Sequence, residues 1–358
     1  MAYELWDGFD HYNSSSELWD AINGTMSYSS SYARYGAAAG CVSQGLKMSS
    51  SGGSQWKQRN LRTGSESTMI FQFAVMFPAL PSSGDGPFMQ FFDSGTYQCS
   101  LRVNSAGQLV LYLGEGPPYG STVVAQSAPI ITAGVWIGLG IEITIGNGTG
   151  AITVYLDQPG AYTHELILNA TGLVTEASGN SYMTFFRIGD MGGAFNGIQF
   201  DDFHCHSASG GAPNSLLTDS RIYTKKPTGA GYATNWTPNG ASANWQCVDD
   251  STPDGDTTYN DSATAGAIDA YAVQQIGLTR TPNGIVRRSY IRMDDAGPHT
   301  FQNGIRSSTT NALGTAQSTT SSYAWCDGGT CYVDDPATSA PWLAAAADAA
   351  TMVVNETS

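Results

Sequence analysis

Cations are scarce in this sequence. Lys and Arg together number 15 against 30 Asp and Glu, which gives a formal net charge of -15. Binding of nucleic acid through its phosphates needs clustered cations. The densest basic spots are only Lys225 with Lys226 and Arg287 with Arg288. Nucleic acid is therefore not an expected partner.

Charged residues of either sign are few, and apolar residues seldom recur at the spacing of a helix. Only 13% of the residues are charged, whereas glycine alone contributes 42. This composition favours many short strands joined by tight turns, and aromatic residues at 11% argue against disorder. One helix is predicted, over the alanine-rich APWLAAAADAA at 340–350, with Pro341 in its first turn.

Targeting and membrane-spanning segments are also missing. The opening MAYELWDGFD has no basic region followed by an apolar run, so it predicts no secretory signal. The most apolar stretch, 123–141, contains Gln126 and Pro129, and its second half alternates with period 2. That pattern argues against a spanning helix. We therefore expect no membrane partner and synthesis in the cytoplasm.

The clearest element is a β-hairpin in GVWIGLGIEITIGNGTGAITVYLD at 134–157. Apolar side chains alternate with smaller or polar ones over eleven residues, so one face is predicted to be buried and the other more open. The sequence GNGTG then predicts a turn, because Gly and Asn tolerate positive φ. The returning strand is AITVYLD.

Further short strands recur on both sides of a break of small residues, SASGGAPNS at 207–215. Such spacing is typical of sandwiches and jelly rolls. We predict an all-β chain of two β-sandwich, jelly-roll-like domains with one short helix near the C-terminus. The predicted bounds are 1–208, a linker at 209–215, and 216–358. The strands predicted in the second domain lie at 220–224, 270–278, 287–293, 323–325 and 351–355.

The first domain resembles concanavalin A-like or laminin G-like sandwiches. The hairpin at 134–157 is similar to their central hairpin, GIQFDDFHC at 197–205 to their closing strand, and YELWDGFDHY at 3–12 to their opening strand. The resemblance implies that the opening and closing strands are neighbours in one sheet. It is specific to fold and implies no particular activity.

The second domain resembles the C-terminal module of tailed-bacteriophage virion proteins. The similar segments are NWTPNGASANWQCVDDSTPDGDTTYNDSATAGAIDAYAV, IRMDDAG with GIRSS, SSYAW, and DDPATSAPWLAAAADAA. The resemblance implies a structural component of a phage particle, in the tail, its fibres or a decoration of the head. The implied partners are copies of the chain itself and other virion proteins, and the implied place of assembly is the host bacterial cytoplasm.

The most chemically loaded stretch is FDDFHCH at 200–206. On a strand, Asp202, His204 and His206 share one face, and His-x-His beside a carboxylate is an arrangement that can bind zinc. The alternative is a closing strand with Phe203 and Cys205 in the core. A structural zinc site needs four ligands and no second cluster is visible, which favours the alternative. The aspartate pair is a weaker candidate for Ca²⁺.

Catalytic patterns are missing from the strands. Glycan hydrolases with this kind of sandwich carry two carboxylates on one strand, one as nucleophile and one as acid. Here the best strand offers only Glu142, with Thr144 where an Asp would be needed. We therefore expect no catalytic residue, no cofactor and no enzymatic activity.

A glycan-binding role remains the main alternative to the structural role. Trp56, Tyr119 and Tyr162 are aromatic residues that could contact a host surface glycan, although loop and interface aromatics without such a role are common. A polysaccharide-degrading enzyme is the third hypothesis. Homo-oligomeric contacts are expected under the structural hypothesis.

The sequence WCDGGTCY at 325–332 predicts a disulfide between Cys326 and Cys331. A Gly328–Gly329 hairpin turn would place the two cysteines opposite each other at a non-hydrogen-bonded pair. The short loop limits the stabilisation to roughly 2 kcal/mol. Formation is expected after release from the reducing cytoplasm. Alkylation and mass spectrometry of air-exposed protein test it, and two free thiols would contradict it.

Overall fold

The computed structural model describes residues 3–11, 18–34, 43–49, 53–115, 122–157, 164–217, 220–295 and 297–357. The described residues up to Ile222 form one compact unit, and those from Tyr223 onward form another. We call them the N-terminal unit and the C-terminal unit. The division between them falls several residues after the predicted linker at 209–215.

The N-terminal unit is built from antiparallel strands and one 3₁₀ turn at Ser30–Tyr32. Its strands are β1 (Tyr3–Asp7), β2 (Ala21–Asn23), β3 (Met26–Ser29), β4 (Gly45–Met48), β5 (Gln55–Asn60), β6 (Thr68–Met76), β7 (Asp85–Asp93), β8 (Thr96–Asn104), β9 (Gln108–Leu113), β10 (Val123–Pro129), β11 (Trp136–Thr144), β12 (Asn147–Asp157), β13 (His164–Val174), β14 (Phe185–Asp190) and β15 (Gln199–Ser207).

An eight-stranded sheet has the order β13-β12-β11-β6-β15-β4-β3, with β1 also paired to β15. The predicted hairpin is confirmed as β11 with β12, in register from Gly138 opposite Asp157 to Thr144 opposite Ala151. The predicted neighbourhood of opening and closing strands is confirmed as well, because Trp6 of β1 lies opposite His204 of β15.

A seven-stranded sheet has the order β10-β9-β8-β7-β14-β5-β2. Strand β14 lies between β7 and β5, and both ladders are antiparallel. The two sheets pack face to face, as in a β-sandwich. The all-β class predicted from composition and alternation is therefore confirmed.

Aromatic rings from both sheets fill the space between them. Phe71 of β6 packs at 4.9 Å, centroid to centroid, on Phe186 of β14. Phe203 of β15 stacks on Phe73 at 5.6 Å, and Trp19 lies 5.3 Å from Phe203. Large rings bury more apolar area than aliphatic side chains, so a few of them can join two sheets.

The C-terminal unit is also mainly antiparallel β, with a 3₁₀ turn at Asn244–Cys247 and one α-helix among its described residues. Its elements are β16 (Pro227–Thr234), β17 (Thr237–Asn239), β18 (Tyr259–Asp261), β19 (Ile268–Val273), β20 (Ile285–Val286), β21 (Ser289–Ile291), β22 (Thr300–Ser307), β23 (Thr310–Leu313), β24 (Gln317–Ser318), β25 (Ala324–Cys326), β26 (Cys331–Tyr332), β27 (Asp334–Asp335), β28 (Ala340–Pro341), α1 (Ala344–Ala349) and β29 (Thr351–Glu356).

The main sheet of this unit has the order β16-β19-β29-β22-β23, with β24 paired to β22. Two-stranded ladders β17–β18, β20–β26, β21–β25 and β27–β28 accompany it. Phe301 of β22 packs with Trp236 and Tyr271, whereas Ile305 packs with Trp342 and the helix residue Ala347. The core therefore lies in two clusters along the same strand.

The helix is shorter than predicted. It begins at Ala344, because Pro341 and Ala340 pair with Asp334 and Asp335 as the strand β28. A strand was also predicted at 220–224, but the first strand of the C-terminal unit begins at Pro227, and the amide of Ile222 donates to the Asp202 carboxylate at 2.8 Å. The amide of Ile222 is therefore bound by a side chain and not by the backbone of a neighbouring strand.

The prediction around Gly328 and Gly329 is correct for the turn. It is wrong about which residues lie opposite Cys326 and Cys331. Both glycines have positive φ, 70° and 58°. However, Cys326 lies opposite Ser289, and Cys331 lies opposite Val286. The strands on the two sides of the turn thus pair with β21 and β20, which are themselves close neighbours in the chain. Both cysteines are free thiols in this structure, and the disulfide stays a prediction.

Among the described residues, no helix has the length and hydropathy needed to cross a bilayer.

Removal of the Phe203 ring should destabilise the N-terminal unit. Phe203 is fully buried and contacts rings from both sheets, so Phe203→Ala should lower the free energy of unfolding by about 3–5 kcal/mol. Urea unfolding monitored by tryptophan fluorescence measures this. Leu166→Ala, at a side chain that is 49% exposed, is the control and should change stability little. Equal losses in the two variants would contradict the packing described.

Candidate functional site

Strand β14 presents Arg187 on the outer face of the seven-stranded sheet. Its neighbours Phe186 and Ile188 are fully buried, and Phe186 contacts Phe71 of the opposite sheet. Because side chains alternate along a strand, Phe185 and Arg187 point away from the core. Both are half-buried.

The guanidinium of Arg187 lies among aromatic rings. Its central carbon is 4.0 Å from the ring centroid of Trp56, 4.6 Å from that of Phe92 and 5.6 Å from that of Phe185. Phe92 in turn stacks on Phe185 at 4.5 Å and contacts Tyr97 at 4.4 Å. Cation–π contacts of this kind hold the guanidinium plane in place.

Within the described ranges, one of the guanidinium donors of Arg187 has an acceptor. Nε donates to Oε1 of Gln58 at 3.0 Å. Among the described residues, no carboxylate pairs with Arg187, and Tyr97 is the one titratable neighbour that acts on its pKa. Burial lowers the pKa of Arg187 from its usual value because the charged form loses hydration. The site is thus a fixed cation for which the described part of the chain offers no counter-ion. We call Trp56, Gln58, Phe92, Tyr97, Phe185 and Arg187 together the arginine–aromatic face.

A row of polar side chains continues from this face across the sheet. Arg187 is in register with Gln58 on one side and Gln90 on the other. Gln90 lies opposite Ser100, and Ser100 lies opposite Tyr112. Five adjacent strands at ~4.8 Å spacing give the row a length of about 19 Å. Gln58 and Arg187 are half-buried, whereas Gln90, Ser100 and Tyr112 are buried, so the accessible part of the row is its Gln58–Arg187 end.

At the far end of the row, around Tyr112, the polar groups already have hydrogen-bond partners within the protein. The Tyr112 hydroxyl donates to the Asp85 carboxylate, and burial together with that bond raises the pKa of Tyr112 to about 12. Arg102 lies 5.5 Å from the Tyr112 ring centroid and donates to the backbone carbonyls of Asp85, at 3.2 Å, and of Glu115. This second arginine, unlike Arg187, has oxygen partners for both of its Nη atoms.

Gly189 keeps the two strands beneath the arginine–aromatic face close together. A Cβ at Gly189 would lie 2.0 Å from the backbone oxygen of Gln55 and 2.8 Å from Cα of Trp56. Its φ of 156° also lies in the range that favours glycine. The absence of a side chain therefore sets the position of Trp56 relative to Arg187.

The residues that the sequence suggested for zinc lie on the other sheet. His204 Nε2 is 3.3 Å from the side-chain oxygen of Gln72, and His206 Nε2 donates to the carbonyl of Ser215 at 3.1 Å. The two imidazoles are parallel, with centroids 6.2 Å apart. Asp202 accepts from the amide of Ile222. Each side chain has a different protein partner, and the part of the chain that the structure describes contains no group of three metal-binding residues.

A β-bulge explains why the simple alternation fails at this strand. Asp201 lies opposite Ala74 and His204 opposite Gln72, so β15 has one residue more than β6 over this stretch. Asp202 takes up the extra length with φ of 52°. The predicted shared face of Asp202 with His204 and His206 ignores this bulge. Burial and the neighbouring Asp202 raise the pKa of Asp201, whose carboxylate accepts from the amide of Arg34.

Of the three aromatics suggested for glycan contact, Trp56 is part of the arginine–aromatic face. Tyr119 and Tyr162 lie outside the described residues. Sequence reasoning missed Arg187, because MTFFRIGD at 183–190 has the pattern of an ordinary strand. One signal could have identified it: a lone arginine between buried positions of a strand, with aromatic residues beside it.

No protein-family model matches the sequence, and no curated protein matches it. Solved structures with a similar fold include a carbohydrate-binding module, CBM66 from Bacillus subtilis, at 14% identity and a TM-score of 0.33, covering 52% of this chain and 94% of that one. A Trypanosoma rangeli sialidase is 15% identical with a TM-score of 0.30, covering 45% of this chain and 25% of the sialidase. An alginate lyase of polysaccharide lyase family 7 is 15% identical with a TM-score of 0.32, covering 46% and 78%.

These similarities concern the fold and assign neither ligand nor reaction to this chain. They do correct one expectation. The sequence predicted a chain without enzymatic activity, and the presence of a sialidase and an alginate lyase among similar structures contradicts that prediction. A missing carboxylate pair excludes one hydrolytic mechanism and does not exclude catalysis as such.

The histidine pair on the eight-stranded sheet predicts a specific pH dependence. Burial lowers the pKa of His204 to about 3 and that of His206 to about 4. In the unfolded chain an imidazole is protonated below about pH 6.5. The folded state stays neutral there, so these two residues reduce the free energy of unfolding as the pH falls from about 6.5 to about 4.

His206→Gln removes one of these titrations and keeps a donor for the Ser215 carbonyl. The difference in free energy of unfolding between the natural protein and this variant should decrease by about 2 kcal/mol from about pH 7 to about pH 5. Urea unfolding at both pH values measures it, and titrating groups that do not interact with His206 cancel in the difference. A difference that does not change with pH would show that His206 titrates normally in the folded protein.

Proposed function

We propose that the N-terminal unit binds a glycan through the arginine–aromatic face, at the accessible end of the polar row. The observation that carries the proposal is the combination of stacked rings with in-register donors and acceptors on an outer sheet face. Aromatic faces match the apolar faces of sugar rings, whereas amide, hydroxyl and guanidinium groups match the hydroxyls.

The register of the strands supports a binding site of fixed geometry. Gln58, Arg187 and Gln90 belong to three adjacent strands and are held in line by the ladders β5–β14 and β14–β7. Sites built on strands are better fixed than sites on loops. A glycan bound at the accessible end would meet the half-buried rings of Trp56 and Phe185 beside Arg187.

A place in a bacteriophage particle is part of the proposal as well. It is supported by the resemblance of the C-terminal segments to a module of tailed-phage virion proteins. Glycan binding and a position in the tail, its fibres or the head surface are compatible, because host attachment requires both. Self-association and virion partners belong to this same proposal.

Truncation of Trp56 should weaken glycan binding. A glycan array with the whole chain first identifies a bound oligosaccharide, and calorimetry then gives its affinity. Trp56→Ala should weaken that affinity about tenfold or more, because removal of a central aromatic contact costs on the order of 2 kcal/mol.

Trp136→Ala is the matched control. Trp136 is a half-buried tryptophan of the same unit, on strand β11 of the other sheet. It should leave the affinity unchanged. No binding to any oligosaccharide of the array, or equal effects of the two variants, would overturn the proposed function.

A further inference from the structure

We propose that the glycan bound at the arginine–aromatic face is acidic, and that Arg187 receives a carboxylate of one of its sugars. The inference rests on the proposed glycan-binding function and adds the chemical class of the ligand. The Nη donors of Arg187, the rings that hold them and the lack of a protein counter-ion together point to it.

Most hydrogen-bond donors of Arg187 are unused. A guanidinium has five N–H donors in a planar fork. Gln58 accepts from Nε, and no other acceptor for Arg187 occurs among the described residues. The Nη atoms are the edge of the fork that binds a carboxylate through two parallel hydrogen bonds.

Two other arginines of the chain have carboxylate partners. Arg292 pairs with Asp256 at 2.9 Å, and Arg59 pairs with Asp20 at 3.4 Å. The chain has 30 acidic residues against 15 basic ones, so a carboxylate is the commonest partner at hand. Arg187 has aromatic rings beside its guanidinium and, among the described residues, no carboxylate.

The energetic cost of burying Arg187 also favours an anionic ligand. Burial of a charge without a counter-ion disfavours the folded state. A neutral sugar would leave that cost in place, whereas a carboxylate offsets it. Trp56 and Phe92 also fix the guanidinium before the ligand arrives, so little conformational entropy is lost on binding.

Non-specific attraction cannot produce the same preference. The formal net charge of -15 repels a polyanion at long range. Preference for an acidic over a neutral glycan must therefore come from a local group. Arg102 on the same sheet face is already bound to backbone carbonyls, which leaves Arg187.

Matched oligosaccharides test the inference. Trigalacturonate and its carboxyl-reduced counterpart, a neutral galactose trimer, are titrated into the whole chain, with binding followed by calorimetry and by the NMR resonance of Arg187 Nε. The acidic trimer should bind at least about tenfold more tightly than the neutral one and shift the Arg187 resonance in a saturable way.

Two variants test whether the planar guanidinium of Arg187 causes the preference for the acidic trimer. Arg187→Gln should remove most of the preference, and Arg187→Lys, which keeps the charge without the planar fork, should retain only part of it. Arg306→Gln is the control. Arg306 stacks on Tyr232 at 3.9 Å in the C-terminal unit, so the variant loses the same charge and one stacked guanidinium and should keep the preference.

The outcomes separate the two proposals. Binding of neutral glycans that depends on Trp56 and not on Arg187 would overturn the acidic ligand and keep the glycan-binding function. Equal affinity for the two trimers, or an unchanged preference in Arg187→Gln, also overturns it. Binding of neither trimer and of no oligosaccharide on the array overturns both.

Discussion

The burial of Phe186 and Ile188 between the two sheets is the constraint on which the site depends. Strand β14 cannot turn over without placing these side chains in water and Arg187 in an aromatic core. Two ladders, to β5 and to β7, fix the same strand along its length. The outward position of Arg187 is therefore enforced by hydrophobic burial on the opposite face of its own strand.

The aromatic rings around Arg187 have two opposing effects on the stability of its charge. The rings of Trp56, Phe92 and Phe185 remove water from the guanidinium, which makes its charge less favourable. The same rings attract the cation through their faces and orient its plane. The balance leaves a cation that is held firmly and solvated poorly, and groups of this kind gain most from an incoming anion.

Much of the fold could be predicted from residue pattern. Strict alternation in β11 identified the hairpin, since a register shifted by one residue would expose its whole row of isoleucine and leucine side chains. Similarity of the opening and closing strands to a known sandwich indicated the β1–β15 pairing. The bulge at Asp202 could not be predicted, because an extra residue between polar residues does not change the pattern of apolar and polar positions in a recognisable way. The predicted position of Cys326 opposite Cys331 was also wrong. A turn sequence determines the turn but does not determine which strands pair beyond it.

The candidate site was predicted only in part. Trp56 was noted as an aromatic residue, but its neighbours come from strands that are distant in sequence, and only the order of the seven-stranded sheet brings Gln58, Arg187 and Gln90 into one row. Sequence spacing carries little information about such a row, because it runs across strands and not along them.

The bulge at Asp202 has a mechanical consequence. The carboxylate of the bulged residue Asp202 accepts a hydrogen bond from the amide of Ile222, the last residue of the N-terminal unit. Leu217, a few residues earlier, is held by Gln72 of the central strand β6. Tension on the chain beyond Ile222 therefore passes into β15, which is hydrogen-bonded to β1 and β6 on its two sides, and not into a peripheral strand. The load would then be shared by the hydrogen bonds of β15 with its neighbouring strands.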